Sequence, residues 1–163
     1  MHFRIKKCDI FIDYAFILVL SLAAVFNSKQ VIYLLLFSAL HETGHLTALL
    51  ICQEKPYKIH LSYYGFAIRY TDDLPRFKEC IVLLCGPLVN LVLYLFFKDD
   101  INLILFLLNC LPVYPLDIGR IVRIFSIKAS RILSAITVIL ICILCVYMLS
   151  LIHISEPTRL DVI

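Results

Sequence analysis

Residues 29–51 read KQVIYLLLFSALHETGHLTALLI. The first half is an unbroken apolar run, and the second half carries two histidines and a glutamate. The stretch has the length, roughly 20 residues, that crosses a bilayer as a helix. His41 and His45 are four apart, so on a helix they project from one face, with Glu42 between them in sequence. This H-E-x-x-H spacing lets two imidazoles reach one metal ion while the glutamate works on water. The chain holds five histidines and four glutamates. Random placement would give the pattern in roughly 0.4% of chains of this composition, so it is informative but does not decide the matter alone. Its location adds weight, because ionisable groups inside a spanning segment are costly and mark functional positions. The structural alternative is a polar contact between helices in a bundle.

The rest of the chain has the same apolar texture. Of 163 residues, 62% are hydrophobic and 17% charged, and the mean hydropathy is +0.95. A soluble domain is nearer half apolar and about a quarter charged. A chain this short has too little interior to hide so much apolar surface, which leaves lipid to cover it. Further candidate spans are about 10–26, 77–97, 101–111 and 131–152. The first lacks a small-residue cleavage site and reads as a retained anchor. The fourth is cut by Pro112 and Pro115, with helix resuming at Asp117. Residues 58–70, KIHLSYYGFAIRY, are rich in β-branched and aromatic residues. They read as a short hairpin, an interfacial sheet, or a surface loop with aromatics at headgroup level. Tyr63 and Tyr64 are candidates for an edge that accepts an extended chain. The fold class expected is therefore an all-α polytopic membrane protein of about five transmembrane helices. A β-hairpin or sheet lies between helices two and three. Residues 1–152 form one membrane-embedded domain, and 153–163 a polar tail outside it.

The net charge of +3 and the lack of a basic stripe argue against nucleic acid as a partner. The seven cysteines, at 8, 52, 80, 85, 110, 142 and 145, lie mostly in apolar runs and give no disulfide framework. Cys142 and Cys145 read as small packing residues. With five spans, 12 of the 15 Lys and Arg residues fall on one side. The positive-inside rule makes that side, and with it the N-terminus, cytoplasmic.

A catalytic zinc takes three protein ligands and keeps a fourth position open. Two residues are candidates for the third ligand. His60 lies in the sheet-like loop, where nothing around it marks a ligand. Asp117 follows the kinked span in NCLPVYPLDIGR, residues 109–120. Its prolines free backbone groups, as tolerated at membrane depth beside a polar cavity. Orientation brings Asp117 and the second half of span two to the same face, which favours Asp117. A helix N-cap role for Asp117 is compatible with ligation. Asn109 is suited to hold either a backbone segment or the substrate, and Arg120 to pair with a phosphate or carboxylate.

Together, HETGH (41–45), GPLVN (86–90) and NCLPVYPLD-x-GR (109–120) resemble the site-2 protease family of intramembrane zinc metalloproteases. The similarity is greatest to its small bacterial members, the stage IV sporulation protein FB type, and covers roughly residues 30–125. The resemblance implies one zinc per chain held by His41, His45 and Asp117, with Glu42 as general base and acid. It also implies that Asn90 helps position the substrate or its oxyanion, a set to which Asn109 is a further candidate. Its implied partners are a membrane-anchored protein substrate, the lipid bilayer and regulatory membrane proteins, and its implied location is a bacterial cell membrane. One departure stands out. The family pattern Asp-Gly-Gly-Arg reads Asp117-Ile118-Gly119-Arg120 here, and isoleucine resists the left-handed backbone open to glycine. Two other functions use the same ligands: an inactive relative that binds membrane segments, and a membrane zinc transporter or sensor.

Overall fold

Helix dominates the chain. The computed structural model describes residues 2–5, 8–26, 28–53, 56–62, 65–70 and 74–155. Three of its helices are long and apolar enough to cross a membrane. The first is α2 (Lys29–Ile51), which follows a shorter helix, α1 (Tyr14–Val25). The second is α3 (Arg76–Phe97). After α4 (Asp100–Asn109) and α5 (Asp117–Phe125) comes the third, α6 (Ile127–Ser155).

Two of the five expected spans are shorter than a bilayer requires. The segment 10–26 is not one helix: its first residues belong to a strand, and α1 has 12 residues, about 18 Å at 1.5 Å per residue. The local reason is the run CDIFI, residues 8–12, whose β-branched and aromatic side chains suit a pleated surface. The second is α4, with 10 residues. Its N-terminus is capped by Asp99, whose side chain accepts from the Ile101 N–H at 2.9 Å, a strong start signal. It ends before Pro112, which cannot continue a helix. The last span begins at Ile127 and continues to Ser155, taking in three residues read as tail. Tyr63, Tyr64 and residues 156–163 lie outside the described residues.

Four strands pair in the order β1-β2-β3-β4. β1 (His2–Ile5) runs antiparallel to β2 (Cys8–Ile12). β2 runs parallel to β3 (Pro56–Ser62), with Asp9 opposite Lys58 and Ile12 opposite Leu61. β3 pairs antiparallel with β4 (Gly65–Tyr70), with His60 opposite Ala67. A parallel pair needs a long crossover, and here α1 and α2 supply it.

Helices α2 and α3 form the centre. Leu49, Ala48, Val82 and Leu74 make a small buried cluster, with Cys52 and Cys85 against it. Gly44 permits this close approach: a Cβ there would lie 2.6 Å from the Cys85 carbonyl oxygen. Apolar side chains elsewhere point outward, and α6 exposes Ile132, Ile139, Leu144 and Leu149 among many others. A helix apolar on all sides requires an apolar surround. Cys52, Cys80, Cys85, Cys110, Cys142 and Cys145 are free thiols.

Candidate metal centre

The H-E-x-x-H segment is helical throughout, so the spacing read from sequence becomes a real pair. His41 and His45 are each 6% exposed. Their rings meet edge to face at 83°, and their Nε2 atoms are 3.1 Å apart. His41, Glu42 and His45 offer donor atoms within 4.8 Å of one another, a group able to hold a metal ion.

Asp117 enters from the other side. It is the first residue of α5 and is 6% exposed. Its Oδ2 is 3.0 Å from Nε2 of His41 and 3.5 Å from Nε2 of His45. Beyond these two imidazole nitrogens, no further partner of that oxygen is found among the described residues. Three atoms with lone pairs therefore meet inside the protein, an arrangement that needs a shared proton or a cation between them. Their separations of 3.0, 3.1 and 3.5 Å bracket the spacing of about 3.3–3.4 Å between donors that each lie 2.0–2.1 Å from a tetrahedral zinc. The residues present fit the ion.

Helix α3 holds both imidazoles along one stripe. Val82, Gly86 and Asn90 recur every four residues and so share a face. The Val82 carbonyl accepts from Nδ1–H of His45 at 2.8 Å. That contact puts the ring proton on Nδ1 and leaves Nε2 free to ligate. Gly86 makes the space: a Cβ would lie 2.3 Å from Nε2 of His45 and 2.7 Å from Nε2 of His41. Pro87, inside α3, removes the helix hydrogen bond to Leu83 in the turn where Val82 faces His45. Asn90 is fully buried, with its amide nitrogen 3.0 Å from Nδ1 of His41.

The loop bearing Asp117 is held by the first turns of α6. Ser134 Oγ accepts from the Tyr114 N–H at 3.0 Å and donates to the Pro112 carbonyl at 3.3 Å. Ser130 Oγ donates to the Gly119 carbonyl at 3.3 Å. Gly119 packs against the same turn, where a Cβ would meet the Val113 carbonyl at 2.3 Å. Arg123 lies over the Tyr114 ring, 4.4 Å from its centroid, a favourable cation–π contact. Ile118 lies within α5, in right-handed helix, so the family glycine is not needed there.

The chain is similar in structure to the site-2 protease from Methanocaldococcus jannaschii. The two are 23% identical, with a TM-score of 0.60 over 100% of this chain and 98% of that chain. The fold is that of a site-2 protease. No protein-family model and no curated protein matches the sequence.

Against this fold the sequence-derived residues separate into two groups. His41, Glu42, His45 and Asp117 come together although the aspartate arrives on another helix. Asn90 joins them through the outer nitrogen of His41. Asn109 turns back on its own helix and donates to the Leu105 carbonyl at 3.0 Å. His60 belongs to β3. Val82, Gly86, Ser130 and Ser134 were not singled out for roles at the site. The four-residue spacing of 82, 86 and 90, and of 130 and 134, was the available signal.

Proposed function

We propose that the protein is an intramembrane zinc metalloprotease that hydrolyses peptide bonds of membrane-anchored substrates, of the stage IV sporulation protein FB type. The supporting observation is the approach of Asp117 Oδ2, from a separate helix, to within 3.0 and 3.5 Å of the two histidine Nε2 atoms. A structural polar contact between two helices needs no third side chain brought to the same point from another helix. His41, His45 and Asp117 hold the zinc. When bound, zinc acts as a Lewis acid that polarises the scissile carbonyl and acidifies water.

Glu42 is half-buried, with a carboxylate oxygen within 4.8 Å of a ring nitrogen of each histidine. Its carboxylate accepts the proton of the attacking water and then delivers it to the departing amide nitrogen. The substrate's own helix must unwind locally, because a helical carbonyl is engaged in its hydrogen bond. In the membrane, α1 and α4 complete the partial spans and the sheet lies at the interface. The distribution of Lys and Arg supports a cytoplasmic N-terminus and a site opening to the cytoplasm. The host membrane is a bacterial cell membrane, with regulatory membrane proteins as further partners.

The test is a tagged single-span substrate co-expressed with wild type or Glu42→Gln. Zinc content should be equal in the two, while the variant's cleavage drops by about 10²–10⁴-fold, as for loss of a general base. Undiminished cleavage by the variant would remove Glu42 from the mechanism. Stoichiometric zinc without cleavage of any membrane substrate by the wild type would point to transport or sensing.

A further inference from the structure

We infer that Asn90 is a positioning residue of the metal centre, which orients the His41 imidazole for ligation, and does not contact the substrate. The inference rests on the zinc site proposed above. An imidazole has two nitrogens on opposite flanks of the ring. In His41, Nε2 faces Asp117 and Nδ1 faces Asn90. The ring therefore stands between the Asn90 amide and the place where a scissile carbonyl must lie. Asn90 is also fully enclosed, which leaves no open side from which a substrate oxygen reaches it.

Proton accounting gives the amide its task. A ligating Nε2 needs its lone pair, so a neutral His41 carries its proton on Nδ1. That N–H requires an acceptor, and the Asn90 side chain is the group in contact. Its Oδ1 is a buried oxygen without a hydrogen-bond partner among the described residues. Rotation of the amide about its terminal torsion exchanges Oδ1 and Nδ2, which have nearly the same shape. With Oδ1 at the 3.0 Å contact, His41 Nδ1–H donates to it and the ligating tautomer is held. With Nδ2 there, Nδ1 accepts and the proton sits on Nε2, facing Asp117. An amide serves both states, whereas a carboxylate serves only the ligating one. His45 has no such freedom, because the Val82 carbonyl can only accept.

The experiment compares the purified full chain, wild type, Asn90→Ala and Asn90→Asp, in lipid bilayers. Zinc affinity is read by competition with a chromophoric chelator, and ligand geometry by the visible spectrum of the cobalt-substituted protein. Asn90→Ala should bind zinc about 10–100-fold more weakly, as for loss of a group supporting a metal-ligating histidine. Its KM for the substrate should stay at the wild-type value. Asn90→Asp, which keeps the acceptor, should bind at least as tightly as wild type. Wild-type zinc affinity in Asn90→Ala together with a raised KM would overturn the inference in favour of a substrate contact. If Asn90→Ala does not fold, Asn90→Asp decides, and a tenfold weaker affinity there overturns it. Failure of the wild type itself to bind zinc would sink the zinc site proposed above, a result distinct from either.

Discussion

Asp117 Oδ2 lies 3.0 Å from His41 Nε2, although the two residues belong to α5 and α2 and are far apart in the chain. Neither helix holds this contact alone. It depends on α3 between them, which packs against both, and on the loop that delivers Asp117 into the gap. Disturbing any of these parts should affect the site through its metal before it affects the membrane fold.

Removal of the aspartate is the most direct case. Asp117→Ala leaves two imidazoles 3.1 Å apart without a third ligand. Zinc affinity should fall by at least about 100-fold, more than for loss of a supporting contact, and cleavage should fall with it. Zinc content after dialysis against a graded chelator measures this, and a variant that keeps stoichiometric zinc would exclude Asp117 as a ligand.

Two glycines should separate metal binding from helix packing. In Gly86→Ala the new methyl would lie 2.3 Å from His45 Nε2, so the imidazoles must move and zinc should be lost. In Gly44→Ala it would meet the Cys85 carbonyl at 2.6 Å, forcing α2 from α3 at about 1–3 kcal/mol, as for overpacking. Thermal unfolding in lipid, read beside zinc content, should show Gly44→Ala as the less stable of the two and Gly86→Ala as the poorer in zinc.

The serines of α6 allow a test of loop support. Ser134→Ala leaves the Tyr114 N–H and the Pro112 carbonyl without their partner, a cost of about 1–2 kcal/mol. Ser126→Ala removes only the contact from the Ala129 N–H at the start of the same helix, about 1 kcal/mol. Both should lower the unfolding midpoint, but only Ser134→Ala should weaken zinc. Equal zinc affinity in the two variants would show that the loop needs no support from α6.

Restoration of the family glycine should bring no gain. Ile118 is helical, so Ile118→Gly should destabilise the chain by up to about 1 kcal/mol, the ordinary price of glycine in a helix. Substrate cleavage should remain within a few-fold of wild type. A large gain in activity would mean that the site needs a backbone conformation at 118 that isoleucine prevents.

Much of this was legible in the chain itself. The long apolar runs mark α2, α3 and α6, and the i, i+4 histidines mark the candidate ligand pair, because both signals are local and survive any packing. The segment 10–26 misleads for the opposite reason. Its first residues, Ile10, Phe11 and Ile12, are as apolar as the helix that follows, and hydropathy does not distinguish a short strand from the start of a span. Their strand character depends on β3, which is remote in sequence. Asn90 was visible as a polar residue in an apolar helix, but not as a partner of the outer nitrogen of His41. Its motif suggested the substrate side.

The order of apolar and polar residues, taken alone, determined that three helices are long and apolar enough to cross a membrane and that one of them presents two histidines and a glutamate together. Periodicity and transfer free energy act within a single helix, so no neighbour is needed to read them. Tertiary structure decided that Asp117 completes the cluster, that Val82, Gly86 and Asn90 hold the imidazoles, and that the N-terminal residues pair as strands. These contacts join segments whose separation in sequence says nothing of their distance in space. Only the packing of α2, α3 and α5 settles which lone pairs face one another.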